Sequence, residues 1–174
     1  ANPNHINTNG LTALTLAYLY NHTGIAQMLI QHGANVKDTD QGNVALIWAT
    51  RNGYIDIVRL LLQNGVNPNH INTNGQTILT FAYQNNHADI AQILIEHGAD
   101  VNRAIHNTKS LLMDASLRGK IEEVKAFLEK GADPNYTNEE GETALTLAYS
   151  SNHKEIVELL INNRANVNHV INGN

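Results

Sequence analysis

The sequence predicts an all-α solenoid of stacked helix–turn–helix units joined by extended β-turn loops, and three observations carry that expectation. The first is a period. Gly10, Gly42, Gly75 and Gly141 precede the similar blocks "LTALTLA", "NVALIWA", "QTILTFA" and "ETALTLA", and Thr108 holds the equivalent place before "KSLLMDA"; the steps are 32, 33, 33 and 33 residues. Gly33, Gly65, Gly98 and Gly131, with Arg164 next in line, keep the same rhythm. A fixed step of this length marks a repeat array, in which each unit completes its core only by stacking on its neighbours. The second observation is apolar spacing. Ile25, Ala26, Leu29 and Ile30 recur as Ile57, Val58, Leu61 and Leu62, then as Ile90, Ala91, Leu94 and Ile95, and again as Ile156, Val157, Leu160 and Ile161. Pairs four residues apart lay one apolar stripe along a short helix.

The third observation is punctuation. Thr12, Thr77, Ser110 and Thr143 open the first helix of their units with a hydroxyl that can accept from an exposed amide two or three residues on. Val44 stands at that place in the second unit and should leave its first helix less well capped. The glycine after each second helix suits a left-handed stop. Turn-rich stretches such as "HGANVKDTDQG" separate the units. The expected repeats span 7–38, 39–71, 72–104, 105–137 and 138–170 of one array, with 171–174 opening a truncated sixth. Odd units agree with one another more than with their neighbours: "NPNHINTNG" stands at Asn2–Gly10 and again at Asn67–Gly75, which points to duplication of a two-unit block. A chain that opens inside a repeated motif and closes on "ANVNHVINGN" reads as an excerpt of a longer array.

Composition narrows the function classes. The hydrophobic share is 42%, charged residues make up 16% and the net charge is −5, a balance that disfavours general nucleic-acid binding. Cysteine is absent, which removes disulfides, thiolate metal sites and cysteine nucleophiles and fits a cytosolic setting. No apolar run approaches the roughly 18 residues of a membrane span, and "ANPNH" has no signal-peptide character.

At this point the chain resembles the ankyrin repeat family. The resemblance rests on "GLTALTLA", "NGYIDIVRLLLQNGVNPN", "IAQILIEHGADVN", "EEVKAFLEKGADPN" and "GETALTLA", and it covers nearly the whole chain as five units. The family's T-P-L-H proline is replaced by Ala13, Ala45, Ile78, Leu111 and Ala144, and its histidine by Thr15, Ile47, Thr80, Met113 and Thr146. The glycine between the helices is Asn21, Asn86 and Asn152 in odd units and stays Gly53 and Gly119 in even ones. The expected fold is therefore an ankyrin-repeat solenoid.

Nine histidines raise a metal reading. Their matched positions argue against it: His5 and His70, His22, His87 and His153, and His32 and His97 each repeat two units apart. Helices pack about 8–10 Å apart, so such copies lie on the order of 20 Å from one another, whereas zinc ligands converge within about 2.3 Å of one ion. No catalytic motif, cofactor or metal site is expected. Glu139 with Glu140, and Glu122 with Glu123, read as solvated acids, although Glu123 stands where other units have isoleucine and Ile121 is expected to pack in its stead. Tyr18, Tyr83 and Tyr149 are expected to pack between units with the hydroxyl reaching solvent or a polar neighbour. Trp48 and Phe81 are expected to fill the core, and Asp114 takes their position in the fourth unit.

The resemblance implies non-enzymatic recognition of a protein or peptide through a concave surface made of loop tips and first helices, by a monomeric, cytoplasmic array. The family's variable contact positions fall on Leu11, Asn43, Gln76, Lys109 and Glu142 on the loop side. Near the end of the first helices they fall on Leu19, Tyr20, Arg51, Asn52, Gln84, Asn85, Leu117, Arg118, Ser150 and Ser151. The fourth unit, with Arg103, His106, Lys109, Asp114 and Arg118, reads first as ordinary drift in a single repeat and, as the alternative, as a local docking site for an acidic peptide. Two other readings stay open. One is a targeting arm of a larger enzyme or secreted effector, the latter acting in a host cytosol; the other is a small-ligand or nucleotide receptor stacking on Tyr20 or Trp48.

Overall fold

Among the residues described by the computed structural model, 2–36, 39–103 and 109–170, with Thr39 described by its backbone alone, ten helices follow one another in pairs. The first helix of each pair is α1 (Ala13–Leu19), α3 (Thr39–Asn52), α5 (Ile78–Gln84), α7 (Leu111–Leu117) or α9 (Ala144–Ser150). The second is α2 (Thr23–Gln31), α4 (Ile55–Gln63), α6 (Ala88–Glu96), α8 (Ile121–Glu129) or α10 (Lys154–Asn162). Thr108, His106 and residues 171–174 lie outside the described residues, and so does the expected start of a sixth unit.

Three of the expected caps form where the hydroxyls stand. The Thr12 hydroxyl accepts from the Thr15 amide at 3.1 Å, Ser110 from Met113 at 3.3 Å and Thr143 from Thr146 at 3.2 Å. Thr146 reciprocates by accepting from the Thr143 amide, so two orphan donors of α9 are satisfied together. The second unit corrects the expectation built on Val44. Its first helix begins at Thr39 and runs 14 residues straight through Gly42, so Val44 lies inside a helix and opens nothing. Gly42 is there for space: a Cβ on it would sit 2.8 Å from the Val36 carbonyl and 3.3 Å from the Val66 side chain. The extra helical turn carries Gln41 to the neighbouring unit, where its side-chain oxygen accepts from the hydroxyls of Thr12 and Thr15 and its amide donates to the Gly10 carbonyl.

The second helices bury the stripe that the spacing predicts. Ile57, Val58, Leu61 and Leu62 are buried in α4, Ile90, Ala91 and Leu94 in α6, Val124 and Phe127 in α8, and Ile156 and Leu160 in α10. Of the α2 stripe only Ala26 is buried. Glu123 and Ile121 are both half-buried.

The chain divides into two compact units. The first is Ala1–Ile71 with Ile78–Ala99, in which α1 packs on α3, α3 on α5, α2 on α4 and α4 on α6. The second is Asn72–Thr77 with Asp100–Asn174, in which α7 packs on α9 and α8 on α10. Among the described residues no helix is long and apolar enough to cross a membrane.

Candidate functional site

The repeated "NPNHINTNG" is a turn and a strut. In its first half Asn2 accepts the Asn4 amide on its own side chain, and Asn4 then reaches the next repeat, donating to the Gly33 carbonyl and accepting from the Asn35 amide at 2.7 Å. Asn102 does the same toward Gly131 and Asp133, and Asn135 toward Arg164 and Asn166. In its second half the Asn7 side chain accepts the amides of Asn9 and Leu11, closing a hairpin tip held by Asn7 N–H to Leu11 carbonyl at 2.9 Å. Ile6 and Thr12 form a bridge across its base. Asn72 and Asn138 rebuild this tip with Gln76 and Glu142 in place of Leu11. Asparagine is suited to this work because its side chain mimics a backbone turn and offers a donor and an acceptor at once.

Several histidine rings have backbone partners as well. The rings of His32 and His97 donate from Nδ1 to the carbonyls of Met28 and Ile93, each at 2.8 Å, while Asn64 and Asn163 serve the same helix end in their units. His87 donates from Nε2 to the Arg51 carbonyl and His153 to that of Leu117, both at 3.2 Å. Those rings explain the alternation of glycine and asparagine between the helices. A Cβ on Gly53 would lie 2.9 Å from the His87 ring, and one on Gly119 would lie 2.7 Å from that of His153. Asn21, Asn86 and Asn152 hold the same left-handed backbone, with φ of 57°, 58° and 58°. Among the described residues no group of three or more His, Asp or Glu could hold a metal ion.

Within the first unit, α1 and α3 carry Tyr20, Trp48 and Arg51 at or near their C-terminal ends, as one row. Tyr20 is exposed and stacks on His22 with ring centroids 6.2 Å apart. Trp48 is 44% exposed, and its Nε1 donates to the Leu19 carbonyl at 3.3 Å. This corrects the expectation that Trp48 fills the core: the indole lies on the surface against the end of α1. The Arg51 guanidinium sits 5.4 Å over the ring of Phe81, which is itself buried as expected. Leu11, Leu19 and Asn43 are half-buried beside the row, and Asn52, Gln84 and Asn85 are exposed. Asn52 and Asn85 spend their amides on the Trp48 and Phe81 carbonyls.

The remaining sequence-selected positions belong to the second unit. Gln76 and Glu142 are half-buried, and their side chains accept from Asn72 and Asn138 and so brace their own hairpins. Lys109, Leu117 and Ser151 are half-buried, while Arg118 and Ser150 are exposed. Asp114 pairs with Arg118 one turn on, at 3.0 Å, and the Ser150 hydroxyl donates to the Leu147 carbonyl. The fourth repeat's basic character is therefore partly neutralised from within.

The row in the first unit was legible only in part. Tyr20 and Arg51 follow from position, whereas Trp48 stands where Leu16 and Leu147 stand in other repeats and reads as core. Its indole N–H, which a dry core would have to satisfy, is the signal that points outward. The tyrosine expectation also needs correction. The Tyr18 hydroxyl is buried without a partner, and so are those of Thr50 and Ser116 at the equivalent position of the even repeats. Burial holds the Tyr18 phenol above its ordinary pKa.

A family model described as ankyrin repeats (3 copies) matches residues 1–72, 45–105, 64–138 and 103–172. No curated protein matches the chain.

Proposed function

The chain belongs to the ankyrin-repeat family, and from that premise we propose that it binds a partner protein, without catalysis, through its hairpin tips and the exposed side of its first helices. Members of the family are generally protein–protein interaction modules. The observation that supports a particular surface here is the row Tyr20, Trp48 and Arg51. These are the side-chain types that most often carry binding energy, and they stand exposed although a neighbouring repeat was available to bury them. Arg51 stacks over Phe81 and is exposed, so its guanidinium is accessible to a carboxylate. The partner this chemistry fits is a segment that presents an apolar or aromatic side chain beside an acid. Leu11, Leu19, Asn43, Asn52, Gln84 and Asn85 form the surround within the first unit; Gln76, Lys109, Leu117, Arg118, Glu142, Ser150 and Ser151 are the corresponding contact positions within the second unit, taken by itself.

Affinity capture with the intact chain, followed by titration of the captured partner, tests the reading. Trp48→Ala and Arg51→Ala should each weaken binding by about 2 kcal/mol, roughly 30-fold, at unchanged helicity. Gln27→Ala, an exposed position on α2, should leave it unchanged. Affinity retained within about twofold by both Trp48→Ala and Arg51→Ala would remove this surface from consideration.

A further inference from the structure

The second repeat departs from the others where its first helix begins. α3 starts early, at Thr39, and Gly42 is helical where Gly10, Gly75 and Gly141 hold the left-handed backbone of a hairpin tip. The added turn changes what the outside of the helix displays. Asp40, Val44, Trp48 and Arg51 follow one another at steps of four, four and three residues, so they lie in one line along α3, with Ile47 beside it. Val44 is 57% exposed, whereas Thr77 and Thr143 at the equivalent positions are 3% exposed, and Trp48 is exposed where Phe81 and Leu147 are buried. Asp40 and Arg51 are exposed, and Ile47 is half-buried. α3 therefore turns an apolar stripe outward, closed by an acid at its N-terminal end and a base at its C-terminal end.

Two properties of the stripe select its occupant. The backbone of α3 spends its hydrogen bonds inside the helix, and among the described residues of the first unit an isolated bridge between Ile6 and Thr12 stands in place of a sheet edge. An extended segment laid on α3 would bury main-chain groups without gaining main-chain partners, whereas a helix brings its own bonds with it. The charges then fix direction. An amphipathic helix antiparallel to α3 sets its N-terminal turn beside Arg51 and its C-terminal turn beside Asp40. Acids favour the first turn of a helix and bases the last, so the charge order that suits such a helix by itself also complements α3. From Asp40 to Arg51 the line runs about 16 Å, a length that anchors at i, i+3, i+4 and i+7 can cover.

We propose that the stripe Asp40, Val44, Ile47, Trp48 and Arg51 is a docking surface for an amphipathic helix of a partner protein, bound antiparallel to α3. Acids in the first turn of that helix meet Arg51, bases in its last turn meet Asp40, and apolar anchors between them cover Val44 and Trp48. This rests on the partner-binding reading and adds to it the form, direction and charge order of the bound segment.

The test titrates the full chain with three synthetic peptides. The first is an amphipathic helix with glutamates in its first turn, leucines at i, i+3, i+4 and i+7, and lysines in its last turn. The second exchanges the glutamates and lysines, and a side-chain crosslink holds both helical so that only charge order differs. The third has the sequence of the first with a central proline, which breaks the helix. Trp48 is the chain's one tryptophan, so its fluorescence reports occupancy of the stripe. The first peptide should bind at least about tenfold tighter than either of the others, and added salt should narrow the gap between the first two. Asp40→Arg together with Arg51→Asp should invert the preference between the first two, an outcome that loss of the fold cannot imitate. Equal affinity for the first two, tighter binding of the proline peptide, or no saturable signal from any of the three overturns the proposal. So does sedimentation showing self-association that Val44→Glu abolishes, since a second copy would then be the occupant. A captured partner weakened by Trp48→Ala and Arg51→Ala but by neither Val44→Glu nor Asp40→Arg would remove the helix and leave the partner-binding surface standing. A captured partner weakened by none of the four would remove both.

Discussion

Tyr18 shows how a single hydroxyl can set the chain's response to pH. It is buried without a partner, and its phenol is held above the ordinary value of about 10. A raised pKa in the folded state means that the unfolded chain releases its proton first. The contribution to stability is therefore intact below pH ~10 and is lost as pH rises beyond it. Tyr18→Phe should shrink this alkaline loss and also raise stability near neutral pH by about 1 kcal/mol, because an unpaired buried group is removed. Thermal denaturation of both proteins between pH 7 and about 11 checks the two effects separately. Lys125, raised by its hydrogen bond and charge interaction with Glu122, pushes in the same alkaline direction in both proteins and cancels in the comparison. Gly53 offers a second case. Asn21, Asn86 and Asn152 show that asparagine accepts the backbone at this turn. Gly53→Asn should nevertheless cost about 1–3 kcal/mol, because its Cβ meets the His87 ring, and adding His87→Ala should recover much of that in urea unfolding.

The loop between helix pairs is the element in which this sequence invests most of its asparagine. Each strut residue makes its link across 29 and 31 positions, from a side chain in one repeat to the backbone of the next. Asn102→Ala removes the bond to the Gly131 carbonyl at 3.4 Å and leaves the Asp133 amide without its 2.7 Å acceptor. The expected loss is about 1–3 kcal/mol, of which the shorter bond supplies most, and the midpoint of urea denaturation measures it. Asn102→Asp keeps the acceptor and should fall between the two. Helix starts obey more local rules: Ser110 caps α7 within three residues, as its hydroxyl alone suggests.

The chain as a whole has ends unlike its middle. Ile25 is 53% exposed, while its equivalents Ile57, Ile90 and Ile156 are 0%, 1% and 2% exposed. In a repeat array stability is a sum of unit and neighbour terms, so a unit with an uncovered face opens at lower cost. Hydrogen exchange should be faster in α2 than in α4 and faster in α10 than in α8. Uniform protection across these helices would contradict the ordering. The net charge of −5 belongs to this scale too: it repels an acidic molecule at long range, and added salt screens that repulsion beyond about 10 Å.

What the sequence determined by itself was the period and the family, which repetition along the chain displays, and the helix pairs with three of their caps, which depend on chemistry acting over three or four residues. The positions that family members vary for binding could be numbered, yet their individual standing could not. Tertiary structure decided that α3 starts at Thr39, that Trp48 faces outward, that the Tyr18 hydroxyl is dry, and that Gly53 and Gly119 are reserved for the rings of His87 and His153. Each of these depends on groups in a neighbouring repeat, roughly one repeat length away in sequence. Apolar spacing and capping rules carry no information across that gap. A side chain's exposure is set by what the next repeat places against it, and only packing makes that choice.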